Sequence, residues 1–137
     1  MASGSCLCGQ VRFDVDGEFS DVTNCHCNMC QKIHGAAYGT YGEVRRDEFA
    51  WTEGADLVTV YCSSSGVERQ FCSNCGSTLR FVFDQEPDLC YVTFGTIDGD
   101  PGARPVAHIF VGSKAPWHDI KDDLPQFDTW TDNFEPK

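Results

Sequence analysis

Seven of the nine cysteines in this 137-residue chain lie in three short clusters. The clusters are Cys6-Leu7-Cys8, Cys25-His26-Cys27-Asn28-Met29-Cys30 and Cys72-Ser73-Asn74-Cys75. Four thiolates complete a tetrahedral zinc site, whereas three leave one coordination position open for water or a substrate. Seven clustered cysteines therefore predict two metal sites, one closed and structural, the other open and able to support chemistry.

The closed site is predicted from the first and last clusters. In Cys72-x-x-Cys75 one turn can present both sulfurs to a metal, and the following Gly76 can adopt the positive φ that such a turn often needs. In Cys6-x-Cys8 an extended backbone would direct both sulfurs to one face. A zinc ion bound by all four would join the start of the chain to its middle. The alternative is four unliganded cysteines that pack as small hydrophobic residues.

The open site is predicted from the middle cluster. Cys25, Cys27 and Cys30 lie within six residues, and Cys30 lies near the predicted start of a helix, where thiolates are favoured. A thiol that binds the open position of zinc loses its proton near neutral pH. Three anionic thiolates weaken zinc as a Lewis acid, so thiol delivery is favoured over hydrolysis. The alternative is a closed site completed by a histidine, an aspartate or Cys62.

Composition argues against other uses of the cysteines and against several partners. Disulfide-rich folds are mostly secreted chains below about 80 residues, and the first residues here include no basic or apolar segment of a signal peptide. Iron–sulfur clusters usually use other cysteine spacings. The net charge of −11 argues against nucleic-acid binding, and no stretch is apolar enough to span a membrane. We therefore expect a cytoplasmic protein that binds neither nucleic acid nor membranes.

Short runs of alternating, β-branched or aromatic residues predict a mainly β fold. The predicted strands are residues 11–15, 57–61, 67–71, 79–83, 90–94 and 108–111. One short helix is predicted over 29–34, with Asn28 as its N-cap and Gly35 at its end. The length predicts one domain over residues 1–137. Its acidic tail, from Asp119 onward, is predicted to run over the surface, anchored by the aromatic residues Phe127, Trp130 and Phe134.

Four motifs of this sequence resemble those of the glutathione-dependent formaldehyde-activating enzyme family. They are Gly4-Ser5-Cys6-Leu7-Cys8-Gly9, Cys25-His26-Cys27 through Cys30, Phe71-Cys72-Ser73-Asn74-Cys75-Gly76 and Lys114-Ala115-Pro116-Trp117. Residues 108–111 and 122–127 are similar to the closing motif of that family. The resemblance implies several coiled β-sheets joined by zinc, a fold shared with zinc-binding guanine-nucleotide-exchange-like proteins. It also implies structural zinc on Cys6, Cys8, Cys72 and Cys75, and a substrate-side zinc on Cys25, Cys27 and Cys30.

The resemblance further implies a carbon–sulfur lyase with two zinc ions per chain, similar to S-(hydroxymethyl)glutathione synthase. Glutathione and formaldehyde, or a related small aldehyde, would be joined by thiol deprotonation and proximity. His34 and Tyr38 are candidate proton donors by position alone. The candidate partners for the carboxylates of glutathione are Arg12, Lys32, Arg80 and Lys114.

Three other functions stay open at this point. The chain could carry glutathione or another thiol without catalysis, or act as a protein-interaction module. Methionine sulfoxide reduction occurs on a similar zinc-bearing β scaffold and needs a cysteine outside the zinc sites. Only Cys62 and Cys90 remain for that role, and both are expected to be buried and unreactive. Trp117 could line a substrate cleft or cap the core, whereas the sequence does not distinguish Trp51 and Trp130 from ordinary packing aromatic residues.

Overall fold

The computed structural model of the protein describes residues 1–131, which form eleven strands and one α-helix. The strands are β1 Ala2–Ser5, β2 Arg12–Val15, β3 Ser20–Cys25, β4 Gly39–Arg45, β5 Phe49–Glu53, β6 Val58–Ser64, β7 Val67–Cys72, β8 Thr78–Phe83, β9 Leu89–Thr93, β10 Ile97–Asp98 and β11 Ala107–Ile109. Four short 3-10 helices lie at Arg46–Glu48, Ala55–Leu57, Phe94–Thr96 and Val111–Ser113. The prediction of a mainly β fold is confirmed.

Two sheets organise these strands. A four-stranded antiparallel sheet has the order β10-β1-β2-β5, and a seven-stranded sheet has the order β11-β3-β4-β9-β8-β7-β6. The pairing of β11 with β3 is parallel and places Ile109 opposite Cys25. Each of the six predicted runs overlaps a strand, whereas β1, β3, β4, β5 and β10 were not predicted.

The main hydrophobic core contains residues from both sheets. Phe13 and Val15 of β2 belong to one cluster with Leu79 of β8 and Val92 of β9, and all four are at most 1% exposed. Alternation along β2 produces this pattern, because every second side chain of a strand points to the same face. A second cluster surrounds Cys25 and Cys30 and is largely aromatic.

The helix α1, Asn28–His34, begins and ends close to the predicted positions. Gly35 adopts a left-handed conformation with φ of 60° and closes the helix. The prediction of Asn28 as N-cap was wrong. Cys27 takes that position with an extended backbone, and its Sγ accepts a hydrogen bond from the backbone N of Cys30 at 3.3 Å. Among residues 1–131 no helix is long and apolar enough to cross a membrane.

The tail after β11 returns to the seven-stranded sheet. Residue Gln126 forms a parallel bridge with His108, and the rings of Phe127 and Trp130 pack against the second cluster. Two of the three predicted aromatic anchors are therefore confirmed. The third, Phe134, lies outside the described residues.

Candidate metal centres and active site

The first and last cysteine clusters meet in space. The sulfur atoms of Cys6, Cys8, Cys72 and Cys75 all lie within 4.8 Å of one another. Cys6 follows β1 and Cys72 ends β7, so the chain segments that carry the two clusters are far apart in sequence. The sulfurs of Cys6 and Cys8 are 3.4 Å apart, and those of Cys8 and Cys72 are 3.9 Å apart. A tetrahedral zinc site with Zn–S bonds of about 2.3 Å needs sulfurs about 3.8 Å apart, so this cluster fits zinc.

Local backbone geometry and charge also suit a metal at these four thiols. Gly76 has a φ of +82°, the left-handed conformation anticipated after the Cys72-x-x-Cys75 turn. Burial raises the pKa of the Cys72 thiol to about 11, whereas a hydrogen bond with the Ser77 hydroxyl lowers the pKa of Cys75 to about 5. The four thiols would not all ionise near neutral pH on their own, but a bound divalent cation deprotonates coordinating thiols.

The middle cluster brings together three sulfurs. Those of Cys25, Cys27 and Cys30 lie within 4.8 Å of one another, at the junction between β3 and α1. Within residues 1–131 no fourth ligand atom from histidine, aspartate, glutamate or cysteine joins this group. The predicted alternative ligand Cys62 is exposed on β6. Residues 1–131 therefore provide three ligands here, which fits an open zinc site.

The closeness of the three thiols shifts their pKa values in opposite directions in the metal-free cluster. Hydrogen bonds with Cys25 and Cys30 lower the pKa of Cys27, and the guanidinium of Arg69 lowers it further. Hydrogen bonds with Cys27 and Cys30, together with burial, raise the pKa of Cys25. One thiolate is therefore favoured in the metal-free cluster, and a divalent cation is needed to hold all three in the ionised form.

A cavity of about 260 Å³ opens beside the three cysteines. We call it the cysteine cavity; its apolar walls include Phe81, Phe83, Ile109, Phe110 and Trp130, and Cys25, Cys27 and Cys30 line it. Asp21 and Phe110 also line it, and they are the two non-glycine residues with positive φ in the described chain, at 44° and 55°. Such strained conformations cluster at functional sites.

The buried cation of the site is Arg69 on β7, which is only 4% exposed. Its Nη1 donates to the Tyr41 hydroxyl at 3.3 Å and to the Cys30 sulfur at 3.9 Å, and its Nε donates to the Ser63 hydroxyl at 3.1 Å. The guanidinium also lies 4.9 Å from the centre of the Phe81 ring. Sequence reasoning missed this residue. The available signal was its alternation with Val67 and Phe71, which places an arginine on an otherwise apolar face of a strand.

Tyr41 is a second residue that sequence reasoning missed. It lines the cysteine cavity, and burial raises the pKa of its hydroxyl well above the usual value. The predicted proton donor His34 forms a hydrogen bond with this hydroxyl through Nε2. Burial lowers the pKa of His34, so the imidazole is neutral near pH 7. The other predicted donor, Tyr38, packs instead against the rings of His26 and His118.

Comparison with known proteins agrees with these features. The family described as "Glutathione-dependent formaldehyde-activating enzyme" matches residues 1–113. The chain belongs to this family. A protein of Halomonas elongata whose name includes the same description is 31% identical over 129 residues, covering 88% of this chain and 82% of its own. An uncharacterized lyase of Schizosaccharomyces pombe is 24% identical over 124 residues, covering 90% of this chain and 88% of its own.

A solved structure supports the fold. A crystal structure of a Rhodobacter sphaeroides protein superposes with a TM-score of 0.62 and 23% sequence identity, covering 72% of this chain and 89% of that chain. In the chain described here, part of the site lies beyond residues 1–113, the part that matches the formaldehyde-activating family. Trp130 and Thr131 line the cysteine cavity, and Asp122 contacts a buried histidine pair.

The buried pair of His26 and His108 fixes the position of the one residue between Cys25 and Cys27. The ring of His26 is fully buried and points to His108, with Nε2 2.8 Å from Nδ1 of His108. The other ring nitrogen of His108 lies 2.9 Å from a carboxylate oxygen of Asp122. The backbone oxygen of His26 accepts a hydrogen bond from Gln31 at 2.7 Å, and its backbone N donates to Ile109 at 2.9 Å. His26 is therefore a positioning residue of the family's cysteine motif.

The remaining predicted residues lie outside the cysteine cavity. Arg12 is exposed and faces Glu53, Arg80 lies over the rings of Phe49 and Trp51, and Lys114 donates to the backbone oxygens of Ala115 and His118. Lys32 lines a neighbouring surface groove with Met29, Ile33, Tyr61, Ser63 and Arg69, which we call the Lys32 groove. Trp117 is 71% exposed, so it does not cap the core, and it lines neither the cysteine cavity nor the Lys32 groove.

The two cysteines outside the clusters differ from each other. Cys90 is fully buried, as expected. Cys62 is exposed, so the expectation of burial was wrong for this residue. The physical reason is that β6 is an edge strand of the seven-stranded sheet. Four consecutive residues, Thr59 to Cys62, are exposed on it.

Proposed function

We propose that this protein is a zinc-dependent enzyme of the carbon–sulfur lyase type that joins glutathione to formaldehyde or a related small aldehyde. The product with formaldehyde is S-hydroxymethylglutathione. The observation that carries the proposal is the three-cysteine cluster facing the cysteine cavity. In this proposal Cys6, Cys8, Cys72 and Cys75 hold a structural zinc, while Cys25, Cys27 and Cys30 hold a second zinc. When bound at the second site, zinc supplies a positive charge that deprotonates an incoming thiol.

The residues around the three cysteines support this chemistry. Arg69 adds a buried positive charge next to Cys30, which offsets the repulsion between several thiolates. The sulfur of glutathione attacks the carbonyl carbon of the aldehyde, and the resulting oxyanion needs a proton. The Tyr41 hydroxyl lines the same cavity and is the candidate donor, with His34 as the group that exchanges a proton with it.

The body of glutathione fits the Lys32 groove better than the cysteine cavity. The groove contains the cation Lys32, and Met29 and Arg69 line both the groove and the cavity. A thiol could thus enter the cavity while a glutathione carboxylate pairs with Lys32 in the groove. A three-thiolate site needs reduced cysteines, which supports our expectation of a reducing compartment such as the cytoplasm.

The test is the rate of exchange between formaldehyde, glutathione and their adduct, measured by magnetisation-transfer NMR on protein loaded with two zinc ions per chain. The proposal predicts acceleration that is lost in Cys27→Ser and kept in Cys62→Ser. The second variant is the matched control, because Cys62 is an exposed cysteine outside both clusters. Saturable glutathione binding without acceleration would instead favour a thiol carrier. Indifference to small thiols would favour a protein-interaction module.

A further inference from the structure

The cysteine cavity is much larger than formaldehyde requires. Its volume is about 260 Å³, whereas a water molecule occupies about 30 Å³ of the liquid. Formaldehyde has one carbon and one oxygen and is only slightly larger than water. A bound formaldehyde would therefore leave most of the cavity to be filled by something else.

The walls of the cavity favour an apolar group over the body of glutathione. Phe81 and Phe83 come from β8, Ile109 from β11, and Phe110 and Trp130 from the segments that follow. Burying the two carboxylates and the ammonium group of glutathione against these side chains would strip them of water without replacing their hydrogen bonds. Burying a hydrocarbon of the same size is favourable, because affinity rises with the apolar area removed from water.

Arg69 and Tyr41 are the polar groups next to the cysteines and already have partners, whereas the buried Tyr91 hydroxyl, which also lines the cavity, has no hydrogen-bond partner within residues 1–131. Arg69 donates to Tyr41, Cys30 and Ser63, and Thr131 contacts the Asp21 carboxylate at 3.4 Å. A substrate can thus direct its reactive polar group to the cysteines and Tyr41, and its apolar part to the aromatic walls. This is the arrangement of a typical small-molecule site, with apolar walls and a few oriented polar groups.

We infer that the electrophile is an aldehyde carrying an aryl or alkyl group, with up to about eight or nine non-hydrogen atoms in all including the carbonyl, at roughly 30 Å³ for each water-sized group. The inference rests on the proposed function, since it assigns the second substrate of the same site. The glutathione sulfur forms a bond to the aldehyde carbon, the carbon–oxygen π bond breaks, and the thiol proton reaches the new hydroxyl. No group is oxidised or reduced.

The experiment compares phenylacetaldehyde with formaldehyde, each with glutathione, on the zinc-loaded protein. Acceleration over the uncatalysed exchange should be about 10- to 100-fold greater for phenylacetaldehyde, which is the effect of burying one aromatic ring. As a binding readout, 2-phenylethanol should shift the methyl NMR signals of Ile109, whereas ethanol should not.

A variant that fills the cavity tests its location. Val67 is half-buried and lines the cysteine cavity, while Val60 on the neighbouring strand is 47% exposed and does not. Val67→Phe should reduce the ratio of phenylacetaldehyde to formaldehyde acceleration by about 10-fold or more. Val60→Phe is the matched control and should leave the ratio unchanged.

The outcomes separate the two proposals. Acceleration of formaldehyde alone would overturn the apolar-aldehyde inference and leave the proposed function standing. An apolar thiol, such as benzyl mercaptan, whose reaction with formaldehyde is accelerated more over its uncatalysed rate than that of glutathione with phenylacetaldehyde would also overturn it, because the apolar group would then belong to the thiol. Acceleration of neither aldehyde would overturn both proposals.

Discussion

The buried contact between His26 and His108 predicts a large effect for one substitution, His108→Phe. Phenylalanine keeps an aromatic ring of similar size at a position that is 1% exposed, but it removes both ring nitrogens. The 2.8 Å hydrogen bond to His26 and the 2.9 Å bond to Asp122 are therefore lost together. Because the Nδ1 atom of His26 has no partner in the described chain, His26 would then have no side-chain hydrogen bond within residues 1–131.

The magnitude follows from the burial of the two partners. An unpaired buried donor on His26 costs about 1–3 kcal/mol, because water cannot replace the missing acceptor. Losing the bond to Asp122 costs about 0.5–1.5 kcal/mol, since that carboxylate is half exposed and regains water. We expect the free energy of unfolding to fall by about 1.5–4.5 kcal/mol, which is a large part of the stability of a typical domain. The affinity of the three-cysteine site for metal should fall by about 10- to 100-fold, as for other residues that orient metal ligands.

Urea denaturation at fixed zinc concentration measures the first effect, and a competition titration with cobalt and a chelator measures the second. The matched control is His118→Phe. The His118 ring also lies near His26, with ring centres 6.1 Å apart, but it forms no side-chain hydrogen bond to His26. Equal denaturation midpoints for the two variants would refute the argument that hydrogen bonding through His108 holds the cysteine segment.

Three further predictions concern the core, the turn and the metal. Leu79→Ala should lower the free energy of unfolding by about 2–5 kcal/mol in urea denaturation, because Leu79 is fully buried. Gly76→Ala should lower the free energy of unfolding by about 1–2 kcal/mol by the same measurement, because a φ of +82° strains any residue with a Cβ. The control is Gly95→Ala, which should lower it by less than about 0.5 kcal/mol, since φ is not positive there and the space is open. A strong chelator should lower the melting temperature measured by circular dichroism. Zinc but not magnesium should restore it, since four thiolates select zinc. An unchanged melting temperature on complete zinc removal would contradict a structural metal.

Local spacing was enough to single out each short set of cysteines, because only one or two residues separate neighbouring ligands within a set and leave little choice of geometry. The strands β3 and β4 were missed for a local reason as well. β3 contains Asp21 and Asn24, which are rare in strands, and β4 contains two glycines. Gly42 of β4 is required by packing and not by a turn, since an added Cβ would lie 2.7 Å from the rings of Phe19 and Phe94.

The surroundings of the clusters could not be predicted in this way. Arg69, Tyr41 and Trp130 reach the cysteine cavity from β7, β4 and the tail, and the meeting of the first two depends on the register of the seven-stranded sheet. The pairing of His26 with His108 depends in addition on the parallel contact between β11 and β3. Spacing along one chain carries no information about such long-range registers.

The position of the tail has an evolutionary consequence. The cysteines that would perform the chemistry lie within residues 1–113, the part that matches the family, whereas Trp130 and Thr131 belong to the wall beyond it. Mutations in the tail can therefore reshape the wall without touching a single sulfur. Under the proposed function, a lineage could change its aldehyde substrate through mutations in this segment while the cysteines stay the same. Exchanging tails between relatives would be the corresponding route for an engineer.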